Sequence, residues 1–191
     1  MTEDALAAAS HLVERTGVER VGFLGTSFGS LVAAASASSR PGAPLALWDP
    51  VLEGERYFRD VFRIPLVQGV AQGVPPPKED PLAVLDRKGL VDVIGFPIDR
   101  SLYASSAARS LAGEIGASPR PVLFTQMKRR KDLTPPNSRL VEDLRGHGFE
   151  VEVELVPQEP AWWLFSEPVY ADSLIQATGR WFVRALGAEV P

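Results

Sequence analysis

Apolar residues recur at helical spacing near the start of the chain, where Leu6, Ala9 and Val13 form one stripe before Gly17. Thr2 stands ahead of that stripe as an N-cap candidate, and Glu3 and Asp4 suit the positive end of a helix dipole. The pattern then changes. Arg20 to Leu24 is short and mostly apolar, the form of a strand buried on both faces, and Gly25 is expected to end it. Small and apolar residues from Phe28 to about Ser38 predict a second helix, and Pro44 to Trp48 predicts another buried strand. Helix, strand, helix, strand over residues 1–48 is the alternation of a parallel α/β sheet.

Between Asp49 and Pro119 this alternation lapses into aromatic and proline-rich segments, including Val74-Pro75-Pro76-Pro77 and Ile94-Gly95-Phe96-Pro97. Residues 49–119 therefore read as a lid-like insertion, with Pro75 to Pro77 a stiff extended connector. Pro121 to Gln126 resumes the strand pattern, and a basic loop follows. Thr134-Pro135-Pro136 can cap and open a helix carrying Leu140, Val141 and Leu144, closed by Gly146. Val151 to Val156 is interleaved with Glu152 and Glu154, as at a sheet edge with one solvated face. A last helix, near Pro168 to Leu186, aligns Leu174, Ile175, Thr178, Trp181, Phe182 and Ala185 on one stripe. The expected organisation is one domain, with core segments 1–48 and 120–191 flanking the insertion.

Composition narrows the function classes. The 191 residues are 45% hydrophobic and 23% charged, as in soluble globular chains. A net charge of -4 gives no general pull toward nucleic acid or anionic membrane. No cysteine is present, so disulfides, thiolate metal sites and cysteine nucleophiles are excluded, and the chain suggests neither a metal nor a cofactor. The acidic start and the lack of an apolar run near the roughly 20 residues of a membrane span favour a cytoplasmic location.

The candidate chemistry is centred on Gly25-Thr26-Ser27-Phe28-Gly29, a G-x-S-x-G pattern between a predicted strand and a predicted helix. In that context the serine projects from a sharp turn at the C-terminal end of the sheet, and the glycines accommodate strain and close packing. An ordinary strand-to-helix turn is the other reading of the bare pattern. Val21 to Ser30 and the alanine-rich helix that follows resemble the α/β-hydrolase superfamily, more narrowly its bacterial serine-aminopeptidase-like group. Leu47 to Gly54, with Tyr57 and Phe58, is similar to the exosortase-associated hydrolases of that group. The resemblance covers most of the chain and implies the C-terminal half of an α/β-hydrolase parallel sheet, with helices on both faces.

It also implies that Ser27 is the nucleophile and that the backbone N–H of Phe28 is an oxyanion donor. Asp132 then occupies the slot of the acid, although it can equally be an ordinary loop carboxylate in a basic neighbourhood, and Asp49, after the preceding strand, is the reserve candidate. The family's histidine would lie in the loop 157–165, which reads Pro-Gln-Glu-Pro-Ala-Trp-Trp-Leu-Phe and holds no histidine. Of the two imidazoles, His147 precedes the last strand and so belongs at the opposite end of the sheet from Ser27, and His11 lies on a partly polar helix face. Without a base the serine hydroxyl is a weak nucleophile. Glu159 is an alternative base, provided that it is desolvated.

A complete hydrolase core has further strands before the elbow strand, and here one helix precedes it. The strand Arg20 to Leu24 would then be an apolar sheet edge, expected to be covered by a companion chain supplying the N-terminal half or by a second copy in a homo-oligomer. A truncated gene product is the third expectation. Lys128-Arg129-Arg130-Lys131 can hold an acidic ligand or be a solvated loop, and Trp162-Trp163 can line a pocket for an acyl or peptide ligand or pack the sheet edge. The functional expectation is a catalytically impaired subunit or ligand-binding scaffold, in which the insertion and Ser27 surround a cleft. Its rival is an active serine hydrolase or acyltransferase on ester, thioester or peptide substrates, its base supplied by Glu159 or a partner chain.

Overall fold

The computed structural model describes residues 1–72, 79–93, 95–127, 132–157 and 171–187, with residues 66–72 described by their backbone alone. Two compact units divide the chain: residues 1–52 with 111–191, and residues 53–110.

The first unit runs α1 (Thr2–Thr16), β1 (Phe23–Thr26), α2 (Gly29–Ser38) and β2 (Leu45–Trp48) before the second unit interrupts it. The second unit contains α3 (Gly54–Gln72), α4 (Pro81–Lys88), β3 (Leu90–Val93), β4 (Phe96–Asp99) and α5 (Arg100–Ala107). The first unit then resumes with α6 (Leu111–Ile115), β5 (Pro121–Met127), α7 (Pro135–Gly146), β6 (Glu150–Val156) and α8 (Asp172–Leu186).

Four strands form one parallel sheet in the order β1-β2-β5-β6. Phe23, Leu45, Val122 and Val151 share one level, and Thr26, Trp48, Thr125 and Glu154 another. One face carries the main core, where Leu45, Leu47, Val122 and Phe124 meet Leu31 and Ala34 of α2, Leu111 and Ile115 of α6, and Val141 and Leu144 of α7. Small residues let α2 approach so closely that Ser30, Leu31 and Ala33 to Ala37 are all buried. The opposite face packs on α8, with Trp181 against Ala46 and Leu123, and Leu174 near Met127 and Val156. The Trp48 indole N–H donates to Thr178 Oγ1 at 2.9 Å, fixing α8 to the sheet.

Several local expectations shift. β1 continues through Gly25 to Thr26, and it is not buried on both faces: Leu24 is 43% exposed, because α8 packs on Ala46 and Leu123 of the inner strands. Thr2 is the first helical residue of α1, with Met1 at the cap, and neither Met1 nor Thr134 gives a side-chain capping bond. Ile175 lies on the solvent side of α8, at 55% exposure, so the apolar stripe is narrower than its sequence suggests. Glu150, Glu152 and Glu154 are exposed along β6, as the alternation there requires.

The second unit has its own core. Phe58 and Phe62 of α3 pack with Tyr103 of α5 at ring-centroid distances of 5.4 and 5.8 Å. β3 and β4 form an antiparallel hairpin pairing Leu90 with Asp99 and Val93 with Phe96, so Phe96-Pro97 is strand rather than irregular insertion. Asp99 caps α5; the Ser101 hydroxyl and the Leu102 amide donate to its carboxylate and hold its pKa below the usual aspartate value. Pro75 to Pro77 lies outside the described residues. No helix among the described residues is long and apolar enough to cross a membrane.

Candidate active site

Ser27 stands immediately after β1 with φ 48°, in the left-handed region that a residue with a Cβ rarely adopts. Asp49, immediately after β2, has φ 44°, and these are the two non-glycine residues of positive φ among the described residues. Each leans on the next strand of the sheet. Ser27 N–H donates to Trp48 O at 2.9 Å, and Asp49 N–H donates to Thr125 O at 2.8 Å. Conformations of this kind cost about 1–3 kcal/mol each and persist where surrounding bonds over-determine them.

Those bonds are visible around Ser27. Its carbonyl accepts from Ser30 N–H at 3.1 Å, from Ser30 Oγ at 2.6 Å and from Val51 N–H at 3.3 Å. Val51 N–H also reaches Ser30 Oγ at 3.2 Å, so the fully buried Ser30 ties the turn after β1 to the segment after β2. The two glycines of the pattern differ in purpose. A Cβ on Gly25 would stand 2.6 Å from Ser30 Cα and 2.8 Å from Ala33 Cβ, whereas one on Gly29 would meet nothing within 4 Å. Close packing of α2 on β1 therefore demands Gly25, and nothing steric demands Gly29. Phe28 precedes α2 in right-handed helical conformation, and its carbonyl accepts from Leu31 N–H at 3.1 Å, so its amide lies in the first turn beside Ser27.

Asp132 belongs to the loop between β5 and α7 and is exposed. Its backbone is held by Gln126, whose side chain is buried at 1% exposure. Gln126 Nε2 donates to Asp132 O at 3.1 Å, while its Oε1 accepts from Thr134 N–H and Asn137 Nδ2, both at 2.8 Å. Ser27, Asp49 and the Asp132 loop thus all follow the C-terminal ends of strands of one sheet. Glu159, Trp162, Trp163 and Lys128 to Lys131 lie outside the described residues.

The imidazoles are placed elsewhere. His147 ends α7 and precedes β6; it is exposed, with Nδ1 2.8 Å from the Asp143 carbonyl oxygen. The seven residues of β6, at about 3.3 Å of rise each, separate that rim from the Ser27 rim by roughly 20 Å. His11 is exposed on α1, in the half of the helix that leads toward the N-terminal rim through Gly17.

Ser30 and Gln126 are missed by motif reading. The available signal for Gln126 is a lone amide at the end of an apolar strand run, where a buried side chain must find partners. Ser30 directly follows the G-x-S-x-G pattern, a hydroxyl in a helix of mostly small apolar residues.

No family model matches the chain, and no curated protein matches its sequence. Solved structures do match. The HSL homologue EstE7 from a metagenome library aligns at a TM-score of 0.52 and 16% identity, over 97% of this chain and 61% of its own. The fold is that of the α/β-hydrolase superfamily. Two further hydrolase-fold neighbours extend the comparison. A proline iminopeptidase-related protein from Thermus thermophilus aligns at TM-score 0.50 and 16% identity, over 97% of this chain and 71% of its own. The proline iminopeptidase of Mycobacterium smegmatis aligns at TM-score 0.50 and 14% identity, over 97% and 72% respectively. This chain thus spans 61% of EstE7's length, so the hydrolase fold of that neighbour extends well beyond what is matched here.

Proposed function

We propose that this hydrolase-like protein retains a serine elbow without a working triad, and acts as a catalytically impaired subunit or ligand-binding scaffold. One observation carries the reading: His147 caps a helix at the N-terminal rim, about a strand length from Ser27, and His11 is exposed on α1. A hydroxyl without a neighbouring base is a poor nucleophile, and loss of a triad member lowers turnover by about 10⁴-fold or more. What then remains at the rim is the Ser27 hydroxyl, which can donate to the carbonyl of an acyl or peptide ligand, and the exposed Asp132 carboxylate, which can accept from a ligand N–H, a set that binds without cleaving.

The strain kept at Ser27 favours a second reading, since a φ of 48° on a residue with a Cβ is costly unless its geometry is used. In that reading the chain is an active serine hydrolase or acyltransferase on ester, thioester or peptide substrates. Ser27 is the nucleophile, Asp132 the acid, and Glu159 or a partner chain supplies the base. Labelling with a fluorophosphonate probe separates the two readings. The impaired site predicts no adduct at Ser27 over hours at neutral pH. An adduct within minutes that disappears in Ser27→Ala would establish the active one.

A further inference from the structure

Among the described residues, a single charged side chain is buried. Arg120, immediately before β5, is 3% exposed, and the other buried polar residues carry hydroxyls or, at Gln126, an amide. β5 is an inner strand between β2 and β6, with Val122 paired to Leu45 and Pro121 to Glu150, so this chain itself flanks the position on both sides. One end of the guanidinium is used: Arg120 Nε–H donates to Ser118 O at 3.3 Å, in the loop between α6 and β5.

The other end is not. Nη1 and Nη2 are both buried and find no acceptor among the described residues. Exposed arginines of the same unit are better provided for. Arg20 gives Nη1 to Leu186 O and Nη2 to Ala185 O, Arg145 gives Nη2 to Val151 O, and Arg184 gives Nη2 to the Glu152 carboxylate. A guanidinium stays protonated in a protein, and a buried charge with neither a counter-charge nor hydrogen bonds is costly. Burial accordingly lowers the Arg120 pKa from the ordinary arginine value.

We propose that Arg120 is the cationic half of a buried site for a small anion, of chloride or formate size, which accepts from the N–H groups of Nη1 and Nη2. Those groups lie side by side in one plane, the two-pronged donor that a guanidinium offers to carboxylates and other anions. Water can accept from the same groups but leaves the charge uncompensated, whereas an anion answers both demands. The seclusion of both nitrogens limits the ligand to a few atoms. Arg120 stands at the N-terminal end of β5, and the turn carrying Ser27 follows the C-terminal end of β1 in the same parallel sheet, so the inference is independent of whether Ser27 reacts. An anion held in this way binds the folded chain and not the unfolded one, and its presence is read as stability.

The test is urea unfolding of the full chain at constant ionic strength, with chloride or formate replacing the bulkier gluconate from about 1 to about 100 mM. A ligand bound only by the folded state lowers the unfolding constant about tenfold for each tenfold rise above its dissociation constant, so a fall of at least about threefold is expected over this range. Arg120→Met, of similar length and without charge, should lose that dependence. If Arg120→Met does not fold, Arg120→Lys, which keeps the charge but not the fork, should lose most of it. A response to both anions supports a general small-anion site, one to formate alone a carboxylate site, and one to chloride alone a halide site. An unfolding constant that is the same in all three anions overturns the proposal. So does a dependence that Arg120→Met, or in its place Arg120→Lys, retains in full.

Discussion

The two rims of the parallel sheet handle left-handed backbone in opposite ways. Among the described residues, the left-handed positions at the N-terminal rim are glycines: Gly17 after α1, Gly42 before β2, Gly116 before β5, Gly148 before β6 and Gly187 after α8. At the C-terminal rim, Ser27 and Asp49 adopt that conformation with side chains in place. The N-terminal rim turns the chain at little cost and caps α7 with His147. The C-terminal rim gives up stability to present a hydroxyl and a carboxylate at the ends of neighbouring strands, and it needs the buried Ser30 and Gln126 to hold the segments around them. Conformational strain thus distinguishes the C-terminal rim before any triad is sought.

That contrast can be broken most severely at Gly25. Gly25→Ala places a methyl against the backbone of Gly29 and Ser30, which cannot move aside as a side-chain end can. A loss of about 3 kcal/mol is expected, measured as a lower urea midpoint. Gly29→Ala, with open space around it, should cost far less.

Next in size is Gln126. Gln126→Leu removes the donor to Asp132 O and the acceptor for Thr134 N–H and Asn137. It should cost about 2 kcal/mol in chemical unfolding and speed amide exchange at Thr134.

A paired measurement addresses the rims directly. Ser27→Gly relieves a positive φ and should raise stability by about 1 kcal/mol, while Gly42→Ala, whose new Cβ meets nothing within 4 Å, should lower it by about the same amount through φ alone. Equal losses at both positions would remove the distinction between the rims.

Much of the core was legible because its periodicities are clean. The apolar run Pro121 to Gln126 and the glutamates alternating along Val151 to Val156 specify an inner strand and an edge strand, and the structure supplies both. The position of His147 followed from chain direction alone. What escaped was set by partners distant in sequence. Leu24 looks buried until α8 is seen to cover Ala46 and Leu123, and Ile175 looks like part of the stripe until Leu174 and Trp181 are seen to be the residues of α8 that the sheet buries. The hairpin Leu90 to Asp99 was hidden because Phe96-Pro97 carries a turn residue inside a four-residue strand. Ser30 and Gln126 escaped because a hydroxyl or an amide in an apolar run signals a hydrogen bond without naming its partner.

The separation of Ser27 from His147 is the central claim, and the absence of cysteine makes it directly measurable. With Ser27→Cys and His147→Cys introduced together and spin-labelled, pulsed dipolar spectroscopy should report a label separation of roughly 20 Å or more, one strand length. A distribution centred below about 12 Å, far short of that strand length, would bring an imidazole at position 147 within reach of the Ser27 hydroxyl and contradict the account.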